Sequence, residues 1–202
     1  MKIKVCGMRN KENISALITL KPDYIGFIFY AQSKRFVADF PQIEIPSSVK
    51  KVGVFVDETI DEIVEKATRY QLDFVQLHGN ETPEYCRELA TKNIKIIKAF
   101  SVDENFDFSA TKPFEKHVSL FLFDTKGKNY GGNGIKFNWD LLQNYNGKTP
   151  FLLSGGISKN DAIEIKQFKH SAFFGIDINS GFELEPGLKN INEIKELKSL
   201  LI

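Results

Sequence analysis

The chain has 202 residues, Lys+Arg 27 against Asp+Glu 26, a net charge of +1, 42% hydrophobic residues and 18 Phe. That balance provides no long-range field to hold nucleic acid or an anionic membrane, and the apolar and aromatic content excludes a disordered chain. Two cysteines, Cys6 and Cys86, without CxxC spacing or a Cys/His cluster, indicate neither a disulfide framework nor a metal site and fit a reducing cytoplasm. No secretion signal is read around Lys2 and Lys4, and no run of 18 apolar residues marks a membrane span.

In chain order, short β-branched and aromatic runs alternate with stretches of helical period. The expected strands are residues 3–6, 24–29, 51–56, 74–78, 94–100, 119–124, 151–154 and 173–177. Ile60, Ile63, Val64 and Ala67, spaced i, i+3, i+4 and i+7 after the cap candidate Thr59, form the clearest helical stripe. Thr82-Pro83 opens another helix, which would pack Cys86, and Ile191, Ile194, Leu197 and Leu201 form the last after Asn190. Two connections are weak in helix signal: Pro41 and Pro46 bracket one, and Pro113 interrupts the other. Eight strand-plus-helix units without a linker or composition shift point to one α/β domain over residues 1–202, a small (β/α)8 TIM barrel of parallel strands.

In such a barrel the site lies at the C-terminal strand ends, and several expected strands end in polar residues. They are Cys6, Asp57, His78, Asp124, Ser154 and Asp177. Cys6 could be a small buried hydrophobe, but strand alternation sets Lys4 on its face, one repeat below. An ammonium about 7 Å away at an effective dielectric near 20 favours the thiolate by about 2.4 kcal/mol, so the expectation is a thiolate base near neutrality. Asp124 could be a cap or an ion-pair partner. Its apolar flank, Leu120 to Phe123, would instead raise its carboxyl toward the range of a general acid. Such an acid and base across one cavity would transfer protons with neither a metal nor an organic cofactor. For His78, a structural role and a substrate contact stay equally open.

Ser154-Gly155-Gly156-Ile157-Ser158 follows the seventh expected strand and opens a helix, and Asp177-Ile178-Asn179-Ser180-Gly181 follows the eighth. Those two loops are where barrels of this kind hold a phosphate, through backbone N–H groups that glycine leaves accessible. Arg35, in Ser33-Lys34-Arg35, is either part of a solvated turn or a planar clamp for a carboxylate or ring at the mouth. Residues 126–134, with four glycines, read as a lid over Asp124.

Together these segments resemble a known family across the whole chain. Lys4-Val5-Cys6-Gly7-Met8-Arg9, Ser33 to Phe36, Val52 to Val56, Val75 to Gly79, Phe123-Asp124-Thr125 with the glycine loop beyond, Leu153 to Ile157 and Asp177 to Gly181 are similar to phosphoribosylanthranilate isomerase of tryptophan biosynthesis. The resemblance implies an Amadori rearrangement of N-(5'-phosphoribosyl)anthranilate to 1-(2-carboxyphenylamino)-1-deoxyribulose 5-phosphate. By that similarity Asp124 protonates the ring oxygen, Cys6 takes the proton from C2, and Arg35 meets the anthranilate moiety. Gly155, Gly156, Asp177, Ser180 and Gly181 would hold the phosphate end. The implied partner is a small phosphosugar, with no nucleic acid or membrane, and the chain would act as a monomer or homodimer. The pattern departs at Asn133, where Thr is frequent, and at Asn138, where Asp is common.

Two alternatives remain at this level. Indole-glycerol-phosphate synthase is a neighbouring phosphosugar barrel, but it uses a lysine acid and glutamates and carries an extra N-terminal segment, whereas the first strand here is expected from Ile3. A non-catalytic phosphosugar-binding barrel would be signalled by loss of Cys6 or Asp124, and both are present.

Overall fold

The computed structural model describes residues 1–125 and 137–201. Eight parallel strands close into a barrel in sequence order: β1 (Lys2–Val5), β2 (Tyr24–Ile28), β3 (Lys50–Phe55), β4 (Phe74–Leu77), β5 (Ile96–Val102), β6 (Leu120–Thr125), β7 (Phe151–Leu153) and β8 (Phe173–Ile178). Closure runs through β8 and β1, with Lys4 opposite Asp177 and Val5 opposite Ile178. Because successive side chains on a strand face opposite ways, each strand supplies two layers. Tyr24, Val52, Ile97, Ala99, Leu120, Leu122 and Leu152 fill the barrel interior. One repeat further toward the C-terminal ends, Cys6, Ile28 and Val54 form a small cluster of their own. The outward residues, such as Val5, Phe27, Phe55, Val75 and Phe121, belong to the larger core between barrel and helices.

Helices α1 (Lys11–Thr19), α2 (Ile60–Arg69) and α3 (Pro83–Ala90) begin at side-chain caps: Asn10, Thr59 and Thr82 accept from the backbone N–H groups of Asn13, Glu62 and Tyr85. Cys86 is buried on α3, with Pro83 at the helix start as expected. Helix α4 covers Ala162–Gln167 and α5 covers Ile191–Leu201. None of the described helices is long and apolar enough to cross a membrane.

The weak connections lack α-helices. Residues 29–49, with Pro41 and Pro46, contain only turns and extended chain, and Pro113 sits within a 3-10 helix, Phe108–Phe114. A second 3-10 helix, Trp139–Asn144, links β6 to β7; its cap is Asn138, which accepts from Asp140 N–H as an aspartate would. The helix expected to open at Gly155-Gly156 starts later. Both glycines have positive φ, +91° and +65°, a left-handed conformation incompatible with a helical turn, and helical structure begins only at Lys159. Beyond β8 the chain forms an unforeseen two-stranded hairpin, β9 (Glu183–Glu185) and β10 (Leu188–Lys189).

Candidate active site

A cavity of about 460 Å³ opens at the C-terminal ends of the strands, a volume suited to a small ligand. The nine residues singled out for chemistry and binding all line it: Cys6, Arg35, His78, Asp124, Gly155 and Gly156, with Asp177, Ser180 and Gly181. Ser154 lines it as well. Asp57 does not. In β3 the even-numbered Val52 and Val54 face inward, so Val56 reaches the cavity and Asp57 turns out. Asp57 is exposed, with φ +50°, and its carboxylate accepts from the Asn80 backbone N–H at 2.6 Å. The proposed lid, residues 126–134, lies outside the described residues.

Lys4 lies one repeat below Cys6 and is fully buried, its ammonium 2.9 Å from Asp177 Oδ1. Burial works against the Lys4 charge, but Asp177 and Cys6 beside it prevail and raise its pKa. The same geometry corrects the expectation of a resting thiolate. Burial pushes the Cys6 thiol above its ordinary value, Lys4 pulls it down, and Asp177 offsets that pull. A single ammonium would win against modest burial; an ammonium neutralised by a carboxylate inside the barrel does not.

Asp124 Oδ1 accepts from the Thr125 N–H at 2.9 Å, and Oδ2 lies 3.4 Å from His78 Nε2. On the other side of the ring, His78 Nδ1 is 2.8 Å from the amide nitrogen of Gln76. The Gln76 amide holds the ring by Nδ1 and leaves Nε2 as the nitrogen that faces Asp124. His78 therefore touches both the acid candidate and the cavity. Gln76 also lines the cavity, is almost completely buried, and its Oε1 has no partner among the described residues. Its alternation with His78 was the available signal for it.

At the end expected to receive the phosphate, the glycines allow close approach of backbone. A Cβ on Gly155 would lie 2.1 Å from Thr125 Oγ1, and one on Gly181 2.1 Å from the Ile157 carbonyl oxygen. Asn179 lines the cavity beside them, and its Oδ1 accepts from Lys189 Nζ at 2.6 Å. At the mouth, Arg35 is bound side-on by Glu183, which also accepts from Lys189. Neither Glu183 nor Lys189 was singled out from sequence; they come into the site only through the hairpin.

A closed barrel with a thiol, a carboxyl and two glycine loops after β7 and β8 facing one cavity at the C-terminal strand ends has the form of a (β/α)8-barrel enzyme site. Comparison with known proteins makes this specific. The family model described as "N-(5'phosphoribosyl)anthranilate (PRA) isomerase" matches residues 3–199, and the chain belongs to that family. It is 50% identical over 200 residues to the N-(5'-phosphoribosyl)anthranilate isomerase of Parabacteroides distasonis, covering 96% of this chain and 90% of the relative. The Phocaeicola vulgatus isomerase is 45% identical, over 97% and 98% of the two chains. Among solved structures, that of the Thermotoga maritima isomerase superposes with TM-score 0.85 at 32% identity, covering 100% of this chain and 98% of the other. A structure of the isomerase in complex with reduced 1-(o-carboxyphenylamino)-1-deoxyribulose 5-phosphate superposes with TM-score 0.84 at 31% identity, over the same shares. The chain is thus an isomerase of tryptophan biosynthesis, converting N-(5'-phosphoribosyl)anthranilate to 1-(2-carboxyphenylamino)-1-deoxyribulose 5-phosphate by an Amadori rearrangement.

Proposed function

We propose that Asp124 is the general acid and Cys6 the general base of this rearrangement. Asp124 gives its proton to the furanose ring oxygen as the C1–O bond breaks, and the nitrogen lone pair forms the C1–N double bond of an iminium ion. Cys6 removes the proton from C2, and the electrons of that C–H bond form the C1–C2 double bond of an enolamine, neutralising the nitrogen. Ketonisation moves a proton from the C2 hydroxyl to C1 and yields the aminoketose. The substrate gains one proton from Asp124 and loses one to Cys6, so the isomerisation is balanced.

The observation that carries this reading is that one cavity is lined by Cys6, Asp124 and both glycine loops. The working pair has the proton on Asp124 and none on Cys6. Its inverse contains the same number of protons, so turnover needs only one proton carried back across the cavity. The iminium charge, forming beside the sulfur, favours the thiolate at the step that uses it. Arg35 meets the anthranilate end, while Gly155, Gly156, Asp177, Ser180 and Gly181 receive the phosphate end with backbone N–H groups and side chains; His78 supports Asp124. Both thiols being buried and free supports a cytoplasmic enzyme.

The test follows loss of phosphoribosylanthranilate fluorescence. Cys6→Ala and Asp124→Asn should each lower turnover at least about a hundredfold, the usual scale for a positioned acid or base. Near-normal turnover in either folded variant removes that residue from its role.

A further inference from the structure

We propose that Glu183 is the positioning residue for Arg35, and that through it the hairpin sets the enzyme's selectivity for a substrate carrying a ring carboxylate. This rests on the reading that Arg35 meets the anthranilate moiety. The Glu183 side chain is almost fully buried and takes the guanidinium side-on: Arg35 Nε donates to Oε1 at 2.9 Å and Oε2 at 3.1 Å, and Nη2 donates to Oε2 at 2.7 Å. A guanidinium has five N–H donors in one plane. With the Nε–H and one Nη2–H taken, three remain, and among the described residues none of them has a protein partner. Two of them lie parallel on the end-on edge, the arrangement that accepts both oxygens of a carboxylate. Arg35 lines the cavity. Glu183 therefore fixes which edge of Arg35 is left for the ligand.

The carboxylate is itself held from behind. Lys189 Nζ donates to Glu183 Oε1 at 2.6 Å and the Gly187 N–H to the same oxygen at 3.1 Å. Lys189 also donates to Asn179 Oδ1, in the loop expected to receive the phosphate. A Cβ on Gly7, the residue after Cys6, would lie 2.7 Å from Arg35 Cδ and 2.8 Å from Asn179 Oδ1. The stem of Arg35 thus rests against the β1 loop while its head is gripped by the hairpin, so the guanidinium is placed at both ends.

The experiment compares kcat/KM for phosphoribosylanthranilate with that for phosphoribosylaniline, which lacks the ring carboxylate. Glu183→Gln should reduce the preference for the carboxylated substrate at least tenfold, mainly through a higher KM. Glu183→Asp keeps the charge that Lys189 requires but withdraws the carboxylate from Arg35, and it should lose the preference while melting like the wild type. Arg35→Ala should abolish the preference, with Glu183→Gln adding no further loss in that background. If Arg35→Ala abolishes the preference and both Glu183 variants keep it, the positioning role is overturned and the reading of Arg35 stands. An unchanged preference in Arg35→Ala overturns both. A loss in kcat alone, equal for the two substrates, also overturns the proposal, because it marks general damage.

Discussion

Lys4 Nζ lies 2.9 Å from Asp177 Oδ1, both groups buried in the barrel beside Cys6, on strands at opposite ends of the chain. This pair holds β1 to β8 and sets the charge that the sulfur experiences. Removing one partner leaves an uncompensated buried charge, a change of about 3–5 kcal/mol. Lys4→Met should therefore lower the unfolding free energy measured in urea by an amount on that scale, and the double variant Lys4→Met, Asp177→Asn should recover most of it. In the same variants the pH dependence of alkylation reports Cys6. The wild-type midpoint should lie above that of a free thiol, since burial raises it, and Lys4→Met should move it higher still. A midpoint at neutrality in the wild type would refute the resting thiol.

The barrel was legible because short apolar runs and helical stretches alternate through eight units, and within the first strand the period of two puts Lys4 on the face of Cys6. Asp57 shows the limit: one residue of parity separates Val56, inside, from Asp57, outside, and a polar strand end does not reveal its own register. The partner of Lys4 is 173 residues away and that of Arg35 is 148 residues away. Such pairings depend on barrel closure, which no local pattern encodes. After β2 and β5, where proline left the helix signal weak, no α-helix forms; the signal failed only after β7, where left-handed glycines delay the helix expected at Gly155-Gly156.

Glu183 gives the acid limb of stability a definite sign. Burial opposes its charge, but Arg35 and Lys189 outweigh burial and hold the carboxyl below its ordinary 4.5. Below pH 4.5 the unfolded chain takes up this proton first, so the contribution is complete above 4.5 and is lost as pH falls through the depressed folded value. Urea midpoints at pH 7 and pH 3.5 should differ less in Glu183→Gln than in the wild type. An equal or larger difference would show that the carboxylate is not stabilised by its two cations.

Lys189 works in the opposite window. Burial pulls its pKa from 10.5 down to about 8, against the attraction of Glu183. Between pH 8 and 10.5 the unfolded chain holds the extra proton, so this group makes stability rise with pH across that interval. Lys189→Met should remove that rise, which is measured as the change in urea midpoint between pH 7.5 and pH 10. If the variant keeps the same alkaline slope as the wild type, the Lys189 ammonium is not destabilised by burial.

The loop after β7 is constrained from two sides at Gly155, where φ is +91° and a Cβ would meet Thr125 Oγ1 at 2.1 Å and the Thr125 nitrogen at 2.6 Å. Thr125 follows Asp124 directly, and its Oγ1 accepts from the Phe137 N–H at 3.2 Å. Gly155→Ala should thus cost at least about 1–2 kcal/mol from backbone handedness alone, before the clash is counted. It should also raise KM for the phosphorylated substrate. Because the displaced atoms adjoin Asp124, kcat should fall as well, which distinguishes this variant from one that weakens only the phosphate contact. A variant with normal KM and kcat would show that the loop relaxes without moving the strand end.

Lys98 on β5 holds the backbone on either side of His78, the carbonyls of Leu77 and Gly79, from outside the barrel. The Lys98 ammonium donates to the Gly79 carbonyl at 2.8 Å and pairs with Glu81 Oε2 at 2.9 Å, with both side chains buried. Glu81 in turn accepts from the backbone N–H groups of Asp57 and Gly79. One ion pair therefore ties together the C-terminal ends of β3, β4 and β5 at the backbone beside His78, whose ring faces Asp124. Lys98→Met leaves Glu81 charged and unpaired, a loss of about 3–5 kcal/mol. Lys98→Met with Glu81→Gln removes the stranded charge and should restore most of the stability without restoring the grip on Gly79. Turnover should stay below the wild-type value in that double variant, with KM little changed, because the displaced group adjoins Asp124 and not the Gly155 loop. Full recovery of kcat together with stability would show that the ion pair serves the fold alone.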